Sequence, residues 1–375
     1  MNMSTGKIGV VTFPIGKSNI IPLHNLINIT GRLAKQVYII TGNAGDDVAQ
    51  KLKNLHFELI SHTSGSNIIT RVYNYAKTQL SVTVHMVKLS KNVDTWIFPI
   101  GGEALLPCII LAKILRKSVI MSLTSSTECM TNYQQGHLTS IVVFFTKIDH
   151  FLANKIILYS PSLITEWNLE SYRHKILIAH RHFLDFNTFT VTTPYHNRPP
   201  LIGYIGRLSG EKGVQHFAQA LPAILSNHQD LRVIIGGDGQ LKEAIKASLQ
   251  EGSIADCVDL PGWISHDDLP KYLNQLRLLL LPSYTEGLPN IMLEAMACGT
   301  PVLATPVGAI PDVIRDGETG YIMDNNSPEC ISRNVMRALN DPDLEGIAER
   351  GRAFVEREFT FEKAVERWKG IFGEI

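Results

Sequence analysis

Cysteine is sparse in this chain: five residues in 375, with no CxxC and no paired spacing. That pattern excludes a disulfide-stapled scaffold and the common zinc frameworks. Cys108, Cys129, Cys257, Cys298 and Cys330 read instead as buried thiols in a reducing compartment. No apolar run is long enough to cross a bilayer. Leu105–Leu115 is too short, and Ile141–Leu158 is interrupted by Lys147, Asp149 and Lys155. Lys7 leads directly into the apolar stretch Ile8–Phe13, so no signal peptide is expected and the reading is cytoplasmic. Charged residues make up only 19% and balance to zero, while hydrophobic residues reach 45%, which excludes a disordered chain and gives no sign of nucleic-acid binding. Thirteen histidines form no H-E-x-x-H, and neither G-x-S-x-G nor a Walker loop occurs.

The charge that is present is uneven. Met1–Thr190 holds 18 Lys and Arg against 10 Asp and Glu, and the remainder has the opposite net charge, 17 against 25. A basic first half suits an anionic partner, such as a peripheral contact at the inner membrane face or a lipid phosphate. Two domains with complementary surfaces would account for it equally well.

Short apolar runs alternate with helical patterns, which predicts α/β architecture with parallel sheets. The first half offers strands at Ile8–Phe13, Gln36–Thr41, Thr95–Ile100, Val119–Leu123, Ile156–Tyr159 and Lys175–Ala179, with a helix over Glu103–Arg116. Thr190–Pro200 is polar and proline-rich and reads as a linker. Beyond it strands are expected at Leu201–Ile205, Arg232–Gly236, Cys257–Leu260, Leu278–Leu281, Val302–Ala304 and Tyr321–Met323. The expected organisation is therefore two Rossmann-like doubly wound domains, residues 1–189 and 201–360, with the C-terminal helix 361–375 crossing back onto the first.

Pro282–Thr305, PSYTEGLPNIMLEAMACGTPVLAT, carries Glu286 in a Pro/Gly-bounded turn and Glu294 on the following helix. Strand, loop, helix, strand is the arrangement in which ligands meet the carboxyl ends of strands and helix N-termini. Arg207 and Lys212 follow Gly206 after an earlier strand; a planar donor fork and a mobile point charge both suit a diphosphate. Alone, such a pair would read as surface charges flanking a turn. Gly237-Asp238-Gly239 is not G-x-G-x-x-G and reads as a tight strand–helix turn. Asp341-Pro342-Asp343 has the D-x-D letters of a metal site but sits between two helices, where Asp caps and Pro starts a helix.

Glu286, Glu294 and the EAMACGTPVLAT run, together with Gly203–Gly213, Ile234–Gly239 and Leu260–Ile264, occur in the order found in family 4 glycosyltransferases, and the sequence resembles that family over about half its length. The resemblance implies the GT-B fold, two Rossmann-like domains facing across a cleft, and a retaining, metal-independent hexosyltransferase with a nucleotide-sugar donor and no cofactor. It implies that Arg207 and Lys212 hold the diphosphate, that Glu286 contacts the donor sugar, and that Glu294 binds the ribose hydroxyls. It places Gly206, Gly287, Leu288, Asn290 and Ile291 around the donor and Trp263 at the nucleobase pocket, although Trp263 reads equally as a packing aromatic under a loop. The acceptor would be a sugar or lipid-linked hydroxyl in polysaccharide or glycolipid assembly, bound by the first domain. A nucleotide-sugar 2-epimerase or hydrolase, or a non-catalytic nucleotide-sugar binding protein, would share the fold.

The first half departs from the family pattern. Its opening loop, Phe13–Ser18, has one glycine, Gly16, which would allow backbone approach to donor or acceptor. The run Ser122-Leu123-Thr124-Ser125-Ser126 has no histidine where many members carry one.

Overall fold

The structure is a computed structural model and describes residues 6–52, 55–124 and 139–373. Cys129, Ser125 and Ser126 lie outside that range. The chain forms two compact units, residues 1–183 with 361–375, and residues 184–360.

The first unit is built on seven parallel strands: β1 (Lys7–Val11), β2 (Gln36–Thr41), β3 (His56–Leu59), β4 (Thr95–Phe98), β5 (Ser118–Ser122), β6 (Lys155–Leu158) and β7 (Ile176–Ile178), in the order β3-β2-β1-β4-β5-β6-β7. Both faces are covered, so the central strands read as continuous apolar runs rather than alternating ones, and Val10, Ile39, Ile97, Ile120 and Ile157 are fully buried. Helices Ile20–Leu33 and Gly45–Lys51 pack together, and the C-terminal helix Phe361–Gly373 joins them by packing on Ile20–Leu33. Its Trp368 is fully buried and donates from Nε1 to the carbonyl of His180 at 3.2 Å. Helices Ile68–Leu89, Leu106–Ile114 and Thr139–Leu152 pack side by side, and right-handed crossovers put them on the opposite face.

Two features of this unit differ from the sequence expectation. Edge strand β3 was not expected: its four residues include His56 and Glu58, and none is fully buried. The helix expected over Glu103–Arg116 is shorter, because Gly102–Ala104 forms a 3₁₀ turn and Pro107, in the first turn, sets the α-helical start at Leu106.

The second unit carries six parallel strands, β8 (Leu201–Ile205), β9 (Arg232–Gly236), β10 (Val258–Gly262), β11 (Leu278–Leu281), β12 (Val302–Ala304) and β13 (Tyr321–Ile322), in the order β10-β9-β8-β11-β12-β13. Every residue of β11 is buried. Helices Val214–Asn227 and Pro328–Leu339 press Phe217, Leu221, Ile331 and Val335 into one core with Tyr204, Leu278 and Leu280.

Residues 190–200 are not a free linker. Asn274 accepts from the backbone N–H of Thr192 at 2.7 Å and donates to the carbonyl of Thr190 at 3.0 Å. Arg198, 2% exposed, donates to the carbonyls of Leu276 and Cys298 and to Thr300 Oγ1. The composition reads as a linker, and buried side chains bond parts of its backbone and fasten it to the second unit. The preceding turn also belongs there: Asp185 accepts from Thr188 Oγ1 at 2.7 Å and from the Asn187 N–H, which holds its carboxyl below the usual range, and Phe189 is buried. Replacing Arg198 by Leu strands two buried carbonyls, so it should destabilise the second unit by about 2–4 kcal/mol. Arg232→Leu, at an exposed position, should change stability by less than about 0.5 kcal/mol in the same denaturant titration.

Candidate functional site

In the second sheet β8 and β11 are neighbours, and the chain order runs away from them in both directions. Such a reversal opens a crevice outside the carboxyl ends of the two strands. The loop after β8 carries Gly206, Arg207 and Lys212, and the loop after β11 carries Glu286. Lys212 Nζ donates to Glu286 Oε1 at 2.7 Å, and Ser283 Oγ donates to the same oxygen at 2.8 Å. The Glu286 side chain is 9% exposed and that of Lys212 25%. Arg207, from the same loop, is more than half exposed and lies 3.4 Å from Glu211 Oε1, which also accepts from Ser209 Oγ at 2.6 Å. Beneath them the Tyr204 hydroxyl donates to the carbonyl of Arg207 at 2.7 Å. Burial, reinforced by the Glu286 and Glu211 charges, pushes that phenol well above its ordinary range, so it remains a neutral donor.

Two glycines set the loop geometry. Gly213 has φ +65°, and a Cβ there would stand 1.9 Å from the carbonyl oxygen of Pro282, so the loops meet at backbone distance. The Tyr284 N–H donates to the carbonyl of Glu211 at 2.9 Å, and Asn326 Nδ2 to that of Pro282 at 3.0 Å, which ties them together. Gly308 has φ +62°, and a Cβ would stand 2.3 Å from the carbonyl oxygen of Glu286. The neighbouring Ala309 N–H donates to the carbonyl of Gly287 at 2.8 Å.

The helix Asn290–Ala297 starts after Pro289, and no side chain caps it. Glu294 lies on it, 5% exposed, with Oε1 3.1 Å from His266 Nε2, and the His266 ring packs edge-on against Phe189. Behind it burial pushes the Cys298 thiol up to about 12, so that group is inert. Gly287 and Leu288 are buried; Asn290 and Ile291 are half-buried. Trp263, just beyond β10, is 64% exposed and does not pack under a loop. Gly206 donates its N–H to the carbonyl of Gly236, and Gly237-Asp238-Gly239 forms the turn beside it, with the Leu208 N–H donating to the carbonyl of Asp238 at 2.9 Å.

Gly16 belongs to the first unit, after β1. Its φ of −86° is available to any residue and a Cβ would meet nothing within 4 Å, so the chain itself does not demand glycine there. The Asp341-Pro342-Asp343 letters are structural: Asp341 accepts from the Tyr321 hydroxyl and the Asp343 N–H, and Asp343 pairs with Arg350 at 2.7 Å. Among the described residues no group of three or more metal-ligating side chains occurs.

Sequence reasoning assigned no role to Ser283, Glu211 or His266. Glu211 stood inside the quoted Gly203–Gly213 motif and could have been read as the counter-charge to Arg207. His266 carried no spacing signal, because its partner Glu294 is 28 residues away.

Residues 189–354 match the model of the family described as glycosyl transferases group 1. The second unit is a group 1 glycosyl transferase domain. Alpha-D-kanosaminyltransferase of Streptomyces kanamyceticus is 29% identical over 177 residues, 47% of this chain and 46% of that protein. The capsular polysaccharide biosynthesis glycosyltransferase CapM of Staphylococcus aureus is 26% identical over 256 residues, 64% of this chain and 66% of that protein. The chain thus spans about half the length of the first curated relatives it matches. Among solved structures, Anabaena HepE in complex with UDP and glucose has a TM-score of 0.77 over 98% of this chain and 100% of its own, at 15% identity. Sucrose-phosphate synthase from Thermosynechococcus elongatus has 0.75 over 98% of each chain, at 16% identity. The fold is GT-B: two parallel-sheet α/β units.

The glycosyl transferase domain holds its acidic loop in place through Gly308. A Gly308→Ala variant should lose about 1–3 kcal/mol in a denaturant titration, because positive φ and the contact with the Glu286 carbonyl both oppose a methyl group. Gly262→Ala, also at positive φ but with open space around it, should lose less.

Proposed function

We propose that the chain is a glycosyltransferase that moves a sugar from a nucleoside diphosphate sugar, UDP- or GDP-linked, to an acceptor hydroxyl, with retention at the anomeric carbon. The Lys212–Glu286 pair carries this reading: a cation for the diphosphate and a carboxylate for the sugar are held together at the switch-point crevice. Arg207, exposed beside them, supplies the second cation.

Each role follows from the chemistry of the bond that breaks. As the bond from the anomeric carbon to the diphosphate oxygen is lost, negative charge builds on the leaving group. Fixed cations there stabilise the transition state more than the ground state. They also supply the compensation that other transferases draw from a metal ion. Glu286 accepts hydrogen bonds from the sugar hydroxyls and orients the ring. Glu294, deep on its helix, accepts from the two ribose hydroxyls, and the uncapped N-terminus of that helix offers backbone N–H groups to the phosphates. Leu288, Asn290 and Ile291 border the donor, and Trp263 presents an aromatic face to the base. The acceptor oxygen attacks from the side the leaving group departs, and its proton passes to a departing phosphate oxygen, so no covalent enzyme intermediate is needed. The acceptor belongs to the first unit. A sugar or lipid-linked acceptor in polysaccharide or glycolipid assembly is supported by the similarity to the capsular polysaccharide biosynthesis glycosyltransferase CapM, and uridine as base by the UDP complexes of HepE.

Incubation with UDP- and GDP-sugars and a panel of glycoside and lipid-linked acceptors should give an acceptor product whose new linkage keeps the donor configuration, read by proton NMR. Lys212→Met should lower kcat/KM by about 10²–10³-fold. Epimer or free sugar formed without acceptor, or a glycosyl adduct trapped on Glu286, would contradict the proposal.

A further inference from the structure

The first unit presents an apolar face to solvent. Helix Ile68–Leu89 turns Thr78, Gln79, Val82 and Met86 inward. On its other side Ile69, Tyr73, Leu80, Val84 and Val87 recur at spacings of three, four and seven and are 43–81% exposed. Those spacings lay one stripe along the length of the helix. The adjacent helices extend it: Leu106–Ile114 exposes Ile110 and Ile114, and Thr139–Leu152 exposes Phe144 and Phe151, the last at 74%. The second unit contributes only Trp263 and Tyr284 to the exposed large apolar side chains among the described residues.

The charge on this layer has one sign. Helix Ile68–Leu89 carries Arg71, Lys77 and Lys88 and no acid; Leu106–Ile114 carries Lys113 and no acid, with Arg116 and Lys117 just beyond it. On Thr139–Leu152 the exposed charge is Lys147, and the one acid, Asp149, is fully buried. Two acids on flanking segments sit beside histidines: Glu58 lies 3.4 Å from His85, and Glu103 3.1 Å from His150. No described helix is long and apolar enough to cross a membrane.

We propose that these three helices form a docking surface for an anionic lipid bilayer. Long helices with an apolar stripe flanked by lysines lie in the interface plane, with the stripe in the acyl boundary and the ammonium groups among the headgroups. Charge complementarity selects this occupant over a second copy of the chain. A two-fold dimer would set the same basic face against itself. The inference stands on the first unit alone and does not depend on the reaction.

Flotation of the full chain with vesicles of phosphatidylglycerol and phosphatidylcholine, and with phosphatidylcholine alone, tests it. Wild type should float with the anionic vesicles and stay behind with the neutral ones. Lys77→Gln with Lys88→Gln should lower partition roughly 25-fold. Leu80→Ser with Val84→Ser should abolish flotation while leaving the thermal melt unchanged, because both side chains are solvent-exposed. The proposal is overturned if wild type does not float, if it floats equally with neutral vesicles, or if the Leu80/Val84 variant floats like wild type. A dimer seen by light scattering, dissociated by that variant and unaccompanied by flotation, would assign the face to a second copy instead.

Discussion

An ammonium and a carboxylate 2.7 Å apart, each largely shielded from water, organise the second unit. Lys212 and Glu286 come from loops 74 residues apart, and their contact requires the backbone of one loop to pass directly over that of the other. Gly213 permits that approach, Gly308 permits the turn behind Glu286, and Ser283 gives the shared carboxylate oxygen a second donor. Without a ligand the pair satisfies itself. A bound diphosphate would compete with Glu286 for Lys212, and a sugar hydroxyl would then take up the carboxylate. The resting contact thus keeps both groups in position and avoids an unpaired charge in a partly buried place.

The two units divide the work differently although both are parallel α/β sheets. In the second, sheet topology delivers charge to one point, and the buried carboxylate Glu294 waits one strand–helix step away with His266 as its partner. In the first, the corresponding opening loop has one exposed glycine in an ordinary extended conformation. Its distinguishing feature is the helical layer, basic and apolar at once.

Much of this was legible in the sequence because buried parallel strands write themselves as unbroken apolar runs. Gln36–Thr41, Leu201–Ile205, Arg232–Gly236, Leu278–Leu281 and Val302–Ala304 fall where the hydrophobicity puts them. Edge strand His56–Leu59 did not, since a strand with half-buried faces has no such run. The Thr190–Pro200 segment misled for a related reason: its local composition is that of a linker, while Asn274 and Arg277, which help to hold it, are more than 70 residues away. The cations and carboxylates of the site were visible through their motifs. That Lys212 meets Glu286 rather than Arg207 doing so, and that His266 meets Glu294, depended on tertiary contacts that no local pattern carries.

The most direct test is calorimetric titration of UDP, GDP and their sugars into wild type, Lys212→Met and Glu286→Gln. The account predicts that one nucleoside diphosphate binds wild type and that Lys212→Met weakens it by about tenfold or more, the loss expected for a charge-assisted hydrogen bond. Glu286→Gln should bind the plain diphosphate as tightly as wild type or tighter, because Lys212 is released, while losing the added affinity for the sugar-bearing form. If Glu286→Gln weakens the plain diphosphate as much as Lys212→Met does, the pair is not divided between phosphate and sugar. If no nucleotide binds wild type, the crevice is not a donor site.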